Sequence, residues 1–236
     1  MHAAGGHAVH VCLHHHSEQR AVDPAPACRL FAGHSAERVA VDLIAWLESR
    51  GLRDLVTEEE RNSLNPQVIL AAVDRRHPDS GLVAELEQRL TREELRASSS
   101  AMPTACADPL IRTWAAVGAR LAVTANNSPR TVRSYLEGRG LLPCFDPHIY
   151  GRTQDLGHLK PHPHFLNRAL NATGTAPSGA LMIGDSHFDC HAAVRAGVPF
   201  VGYARDDGKE RELRNAGALI VLRSPKVIQS MVSGQA

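Results

Sequence analysis

Two carboxylates and a lysine offer the clearest chemistry in this chain. The stretch "ALMIGDSHFDCHAA", residues 180–193, has a short apolar run closed by Gly184, then Asp185 and Asp189 four positions apart. The spacing predicts a buried strand, a turn and a helix start, with Asp185 at the strand end and Asp189 in the first helical turn. Carboxylates there suit Mg²⁺, which usually takes one or two of them with water and substrate phosphate. The helix start adds N–H groups that favour an anion. The alternative is purely structural: Asp185 caps the helix and Asp189 complements its dipole. In "LKPHPHFLNRAL", residues 159–170, Lys160 stands before Pro161 and Pro163 at another helix start. An ammonium there suits a phosphate with a carboxylate nearby, although an exposed lysine before a proline turn reads the same way. Thr124 and Asn126, in "RLAVTANNS", close a third stretch with polar groups at a predicted strand end.

The elements that must position these residues are legible from periodicity. After residue 103, predicted strands "RLAVTAN", "HIYG", "ALMIG", "PFVGYA" and "ALIVL" alternate with predicted helices. That alternation implies an α/β core: a parallel sheet covered by helices on both faces, three layers in all. Ligands bind such sheets at the carboxyl ends of the strands, where Thr124, Asn126, Asp185 and Asp189 all fall. One predicted helix, "SPRTVRSYLEGRG", carries Ser128 as N-cap and Pro129 at its first position. Residues 35–102 read as helical throughout, as in "ERVAVDLIAWLESRG", and "SSSAMPTACAD" (98–108) reads as a linker. The domain division expected is 1–34, a His-rich segment with an irregular first strand; 35–102, helical; and 103–236, the α/β core.

Composition narrows the function classes. A chain of 236 residues with formal net charge +1 offers no electrostatic case for nucleic acid. No stretch approaches the roughly 20 apolar residues that span a bilayer. The five cysteines are scattered without a CxxC pair, the usage expected of reduced thiols in a cytoplasm. The first sixteen residues hold six histidines, a composition that suits a transition metal or a poorly ordered start.

Taken together, "LAVTANNS", Lys160 within "KPHP" and "GDSHFD" resemble the second, third and fourth motifs of the haloacid dehalogenase superfamily, which are mostly phosphohydrolases. The resemblance runs from about Asp108 to Leu222, and "HAAVRAGVPFVGY" is similar to the segment after the fourth motif in phosphoglycolate-phosphatase-like members. It implies a Rossmann-like core with residues 35–102 as a helical cap, and a small phosphorylated substrate. It further implies Mg²⁺ held by Asp185 and Asp189, with Thr124, Asn126 and Lys160 at the phosphate and Lys160 catalytic. The family reaction also needs a DxD motif at the end of the first strand. There the first Asp forms an aspartyl phosphate and the second handles the leaving-group proton. The segment before the expected cap reads "QRAVDPAPACRLF" and offers only Asp23, with Pro24 where the acid/base Asp would align. The second motif has Ala125 where a Ser or Thr is usual. Two readings follow: a Mg²⁺-dependent phosphohydrolase with Asp23 as nucleophile, or a non-catalytic protein on the same fold that binds a phosphorylated ligand or a partner. The His-rich start also fits a shifted reading frame upstream of Cys28, which the nucleotide sequence there would reveal.

Overall fold

The computed structural model describes residues 8–11, 36–99, 101 and 107–224. Its centre is a six-stranded, all-parallel sheet in the order β3-β2-β1-β4-β5-β6. The strands are β1 (Ala8–Val11), β2 (Arg120–Thr124), β3 (Ile149–Tyr150), β4 (Ala180–Gly184), β5 (Phe200–Tyr203) and β6 (Ile220–Leu222). The chain runs from β1 outward to β3, then returns to the other side of β1 at β4. Such a reversal opens a crevice between the carboxyl ends of two strands, here β1 and β4.

Besides the strands after residue 103, the sheet takes in Ala8–Val11 as one of its two central strands, within the segment 1–34 where an irregular first strand was expected. This strand pairs Val9 with Leu121 and Leu181, and Val11 with Val123 and Ile183. Four residues, with His7 before them and His10 among them, are too short a run to read as a strand. Backbone pairing on both edges defines it, not composition. The final helix expected after residue 222 falls outside the described residues.

The helices cover the sheet as the periodicity predicts. They are α5 (Ala107–Ala116), α6 (Pro129–Gly138), α7 (Leu142–Phe145), α8 (His164–Thr173), α9 (His187–Ala196) and α10 (Asp207–Asn215). Side chains of a strand alternate between faces, and β2 shows the consequence. Leu121, Val123 and Ala125 pack with Trp114, Leu136 and Phe145 on one face. Ala122 packs with Phe165 and Ala169 of α8 on the other. Ser128 caps α6, accepting from the Arg130 N–H at 3.3 Å, with Pro129 in the first turn.

Residues 36–99 are helical, in α1 (Ala36–Ser49), α2 (Glu58–Asn62), α3 (Pro66–Arg76) and α4 (Gly81–Ser99). They carry their own apolar cluster, built from Val39, Leu43 and Leu47 of α1, Ile69 and Leu70 of α3, and Leu86 and Leu90 of α4. Leu156, from the loop after β3, closes that cluster from the core side. The architecture is a Rossmann-like α/β core with a helical cap. The expected linker is shorter than its composition suggests, since α4 runs on to Ser99.

Candidate functional site

Just after β4, Ser186 and Asp189 hold one another in place. Ser186 caps α9, accepting from the Asp189 N–H at 3.1 Å, while Asp189 Oδ2 accepts from the Ser186 N–H at 3.2 Å. The Ser186 hydroxyl also donates to Asp189 Oδ2 at 2.7 Å. This reciprocal cap turns Asp189 back toward the strand end. Gly184 makes room for it: a Cβ there would stand 2.7 Å from the Asp189 Cβ and 2.8 Å from its Oδ2.

The other Asp189 oxygen holds the lysine. Lys160 Nζ donates to Asp189 Oδ1 at 2.7 Å and to the Thr124 carbonyl at 3.0 Å. Both charged side chains are fully buried. The Lys160 backbone is clamped separately by Asn126. The Asn126 Oδ1 accepts from the Lys160 N–H at 2.8 Å, and its Nδ2 donates to the Lys160 carbonyl at 3.2 Å. Two strand ends and the loop before α8 thus converge on one ammonium.

Asp185 stands beside this cluster. Its Oδ1 is sealed from solvent and has no hydrogen-bond partner among the described residues. Its pKa is raised to about 7, first by burial and then by the Asp189 charge, with Lys209, Arg205 and Lys160 pulling the other way. A buried anionic oxygen without a donor is costly, and a hard divalent cation would relieve that cost. Asp189 differs, since both its oxygens already face protein donors. No group of three His, Cys, Asp or Glu side chains among the described residues could hold a metal ion. Mg²⁺ completed by water and substrate phosphate does not need one. Behind Asp185, Glu212 ties the start of α9 to α10. It faces His187 Nδ1 at 2.8 Å and accepts from Lys209 Nζ at 2.7 Å.

A second buried charge cluster went unnoticed in the sequence. Arg152, with no exposed side-chain surface, donates through Nη1 to Glu94 Oε1 at 2.7 Å and to the Asn126 carbonyl at 3.1 Å. Its Nη2 reaches Glu87 Oε1 at 3.1 Å and Thr91 Oγ1 at 2.9 Å. Burial works against the guanidinium charge, but Glu94 and Glu87 outweigh it and its pKa is raised. Glu94 Oε2 also accepts from the Ser128 N–H at 3.0 Å and from Thr131 Oγ1 at 3.2 Å, at the start of α6. The available signal was Glu87, Thr91 and Glu94 at helical spacing, a polar stripe continuing the apolar face of α4. Arg152 and Glu87 border a cavity of about 640 Å³ between α4 and the loop after β3. Lys160, Asp185 and Asp189 are absent from its lining, so the cavity is not the site of the chemistry.

Of the residues singled out in the sequence, Thr124, Asn126, Lys160 and Asp189 are bonded to one another and Asp185 adjoins them. Thr124 takes part through its carbonyl. Asp23 lies outside the described residues. Strand β1 is Ala8–Val11, and the motif was expected further along the chain, just before the cap, at "QRAVDPAPACRLF".

Residues 62–203 match the family described as haloacid dehalogenase-like hydrolase. A phosphoglycolate phosphatase from Rhodospirillum rubrum is 39% identical over 114 residues, 47% of this chain and 46% of that protein. The pyrophosphatase PpaX of Bacillus cereus is 34% identical over 81 residues, 34% of this chain and 37% of that protein. The matched segments thus span less than half the length of these curated relatives. A crystal structure described as a predicted phosphatase from Clostridium acetobutylicum aligns over 97% of this chain and 99% of its own, with TM-score 0.65 at 17% identity. At that identity the likeness speaks for the fold alone.

Proposed function

Since the chain belongs to the haloacid dehalogenase-like hydrolase family, we propose that its cleft hydrolyses small phosphate esters through an aspartyl-phosphate intermediate. The observation that carries this reading is the buried Lys160–Asp189 pair beside the unpartnered Asp185 oxygen. A cation and an anion are held side by side where α9 begins, a setting that suits a phosphoryl group and a divalent cation together.

Each residue has a role in this reading. Lys160, fixed at its backbone by Asn126 and at its ammonium by Asp189 and the Thr124 carbonyl, holds positive charge toward the transferring phosphoryl oxygens. Asp189 keeps that ammonium in place, and Thr124 and Asn126 shape the strand end behind it. Asp185 is the carboxylate that would hold Mg²⁺, with Asp189 next to it. Mg²⁺, when bound, would neutralise charge on the phosphoryl oxygens. The nucleophile is assigned to Asp23, whose carboxylate oxygen attacks phosphorus as the ester P–O bond breaks. Water then attacks the aspartyl phosphate, releasing inorganic phosphate and restoring the carboxylate. The helical cap favours small substrates, because a covered cleft excludes water during transfer.

Two positions after Asp23 stands Ala25, and a gap-free alignment puts Pro24 at the Asp that would protonate the leaving oxygen; neither residue can do so. General acid–base help is typically worth about 10²- to 10⁴-fold. Turnover is therefore slow, and esters with good leaving groups are favoured. The test is a panel of small phosphate esters assayed with Mg²⁺. p-Nitrophenyl phosphate should be cleaved faster than alkyl phosphates, and Asp23→Asn should abolish both. Turnover that survives in Asp23→Asn would remove Asp23 from the mechanism.

A further inference from the structure

We propose that Arg152 is a positioning residue, which ties the Asn126–Lys160 clamp of the cleft to helix α4 of the cap. The claim rests on the reading of this cleft as a phosphate site. The geometry is a continuous chain of buried contacts. Glu94 and Thr91 of α4 hold the guanidinium, and the guanidinium holds the Asn126 carbonyl at 3.1 Å. The Arg152 N–H donates to the neighbouring Asn127 carbonyl at 2.9 Å. The Asn126 side chain then grips the Lys160 backbone from both sides, and Lys160 meets Asp189.

Two details show that the junction is built to be close. A Cβ on Gly151 would stand 2.5 Å from the Asn127 carbonyl oxygen, so only glycine lets the loop after β3 approach the end of β2 this closely. Glu94 reaches out of its own helix to the N–H of Ser128, the cap of α6, and to the Thr131 hydroxyl in its first turn, so α4 and α6 share one anion at their junction. A planar fork bonded to a carboxylate and a carbonyl at once resists small displacements, which a lysine in its place would not. A shift of the cap relative to the core would therefore reach Lys160 through Arg152 and Asn126.

Arg152→Met combined with Glu94→Gln removes the fork without leaving a buried unpaired charge. Inorganic phosphate with Mg²⁺ would be titrated calorimetrically into this variant and the native protein. The Asn126 side-chain amide would be followed by ¹H–¹⁵N NMR. We expect phosphate affinity to fall at least tenfold and the Asn126 resonances to shift, even where the melting temperature is retained. If the double variant does not fold, Arg152→Lys takes its place, with a change in the same direction. Unchanged phosphate affinity in either folded variant overturns the proposal. Lys160→Met separates the two claims. If the native protein binds no phosphate, or Lys160→Met binds it equally well, the phosphate reading fails. The Asn126 resonances then decide the positioning role alone: shifted supports it, unmoved ends it.

Discussion

At the scale of single residues, the cleft depends on contacts that tolerate little change. Gly184→Ala would push a methyl group to within 2.7 Å of the Asp189 Cβ. We predict that it displaces Asp189, breaks the pair with Lys160 and lowers the melting temperature. A thermal melt beside a Gly208→Ala control checks this, since Gly208 lies outside that contact. Asp185 predicts a pH dependence. Its folded pKa lies at about 7 against the ordinary 3.8, so across that window the folded metal-free protein binds more protons than the unfolded chain. Stability from this group is therefore complete below about pH 4, declines as pH rises, and is lost above about 7. The shift corresponds to roughly 4 kcal/mol at most. Mg²⁺ competes with that proton, so it should raise the melting temperature at pH 8 and have little effect at pH 5. Asp185→Asn should flatten the pH slope and abolish the Mg²⁺ effect. A Mg²⁺ response that is equal at both pH values would refute the assignment. Asp185, Asp189 and Lys160 were legible in the sequence because glycine, serine and proline punctuate the turns that carry them. Their pairing was not, since only tertiary structure brings Lys160 within 2.7 Å of Asp189.

At the scale of elements, α4 serves two partners. Its first half packs Val83, Leu86 and Leu90 into the cap cluster, and its second half presents Thr91 and Glu94 to the core. Glu94→Ala would leave Arg152 buried without its main partner. Breaking a buried pair from one side typically costs about 3–5 kcal/mol, so we predict a loss of that order in denaturant unfolding. A loss under about 1 kcal/mol would show that water or Glu87 takes over, as for exposed pairs. Ser128→Ala removes only a cap and should cost about 1 kcal/mol. The longer helices after residue 107 were readable because caps such as Ser128 and terminators such as Gly174 act locally; the four-residue α7 was not. The strand Ala8–Val11 was not, because backbone pairing with β2 and β4 defines it. Glu94 was hidden for a related reason: an acid within a helix normally signals a solvent face, and here it faces Arg152.

At the scale of the molecule, the division of labour is between a sheet that gathers charge at one edge and a helical cap over it. The sheet order places the carboxyl end of β4, with Asp185 just beyond it, next to the strand that opens the fold. Fold class and cap were legible from the change in periodicity near residue 100, since helical and alternating patterns differ over many residues. The position of the first strand was not, because a four-residue run carries no strand signal of its own. The most direct test of the account is steady-state hydrolysis of p-nitrophenyl phosphate with Mg²⁺, native protein beside Lys160→Met. We predict slow turnover, well below the enzyme median of about 10 s⁻¹, falling at least about 100-fold when the ammonium is removed. No turnover by the native protein, or equal turnover by Lys160→Met, would contradict it.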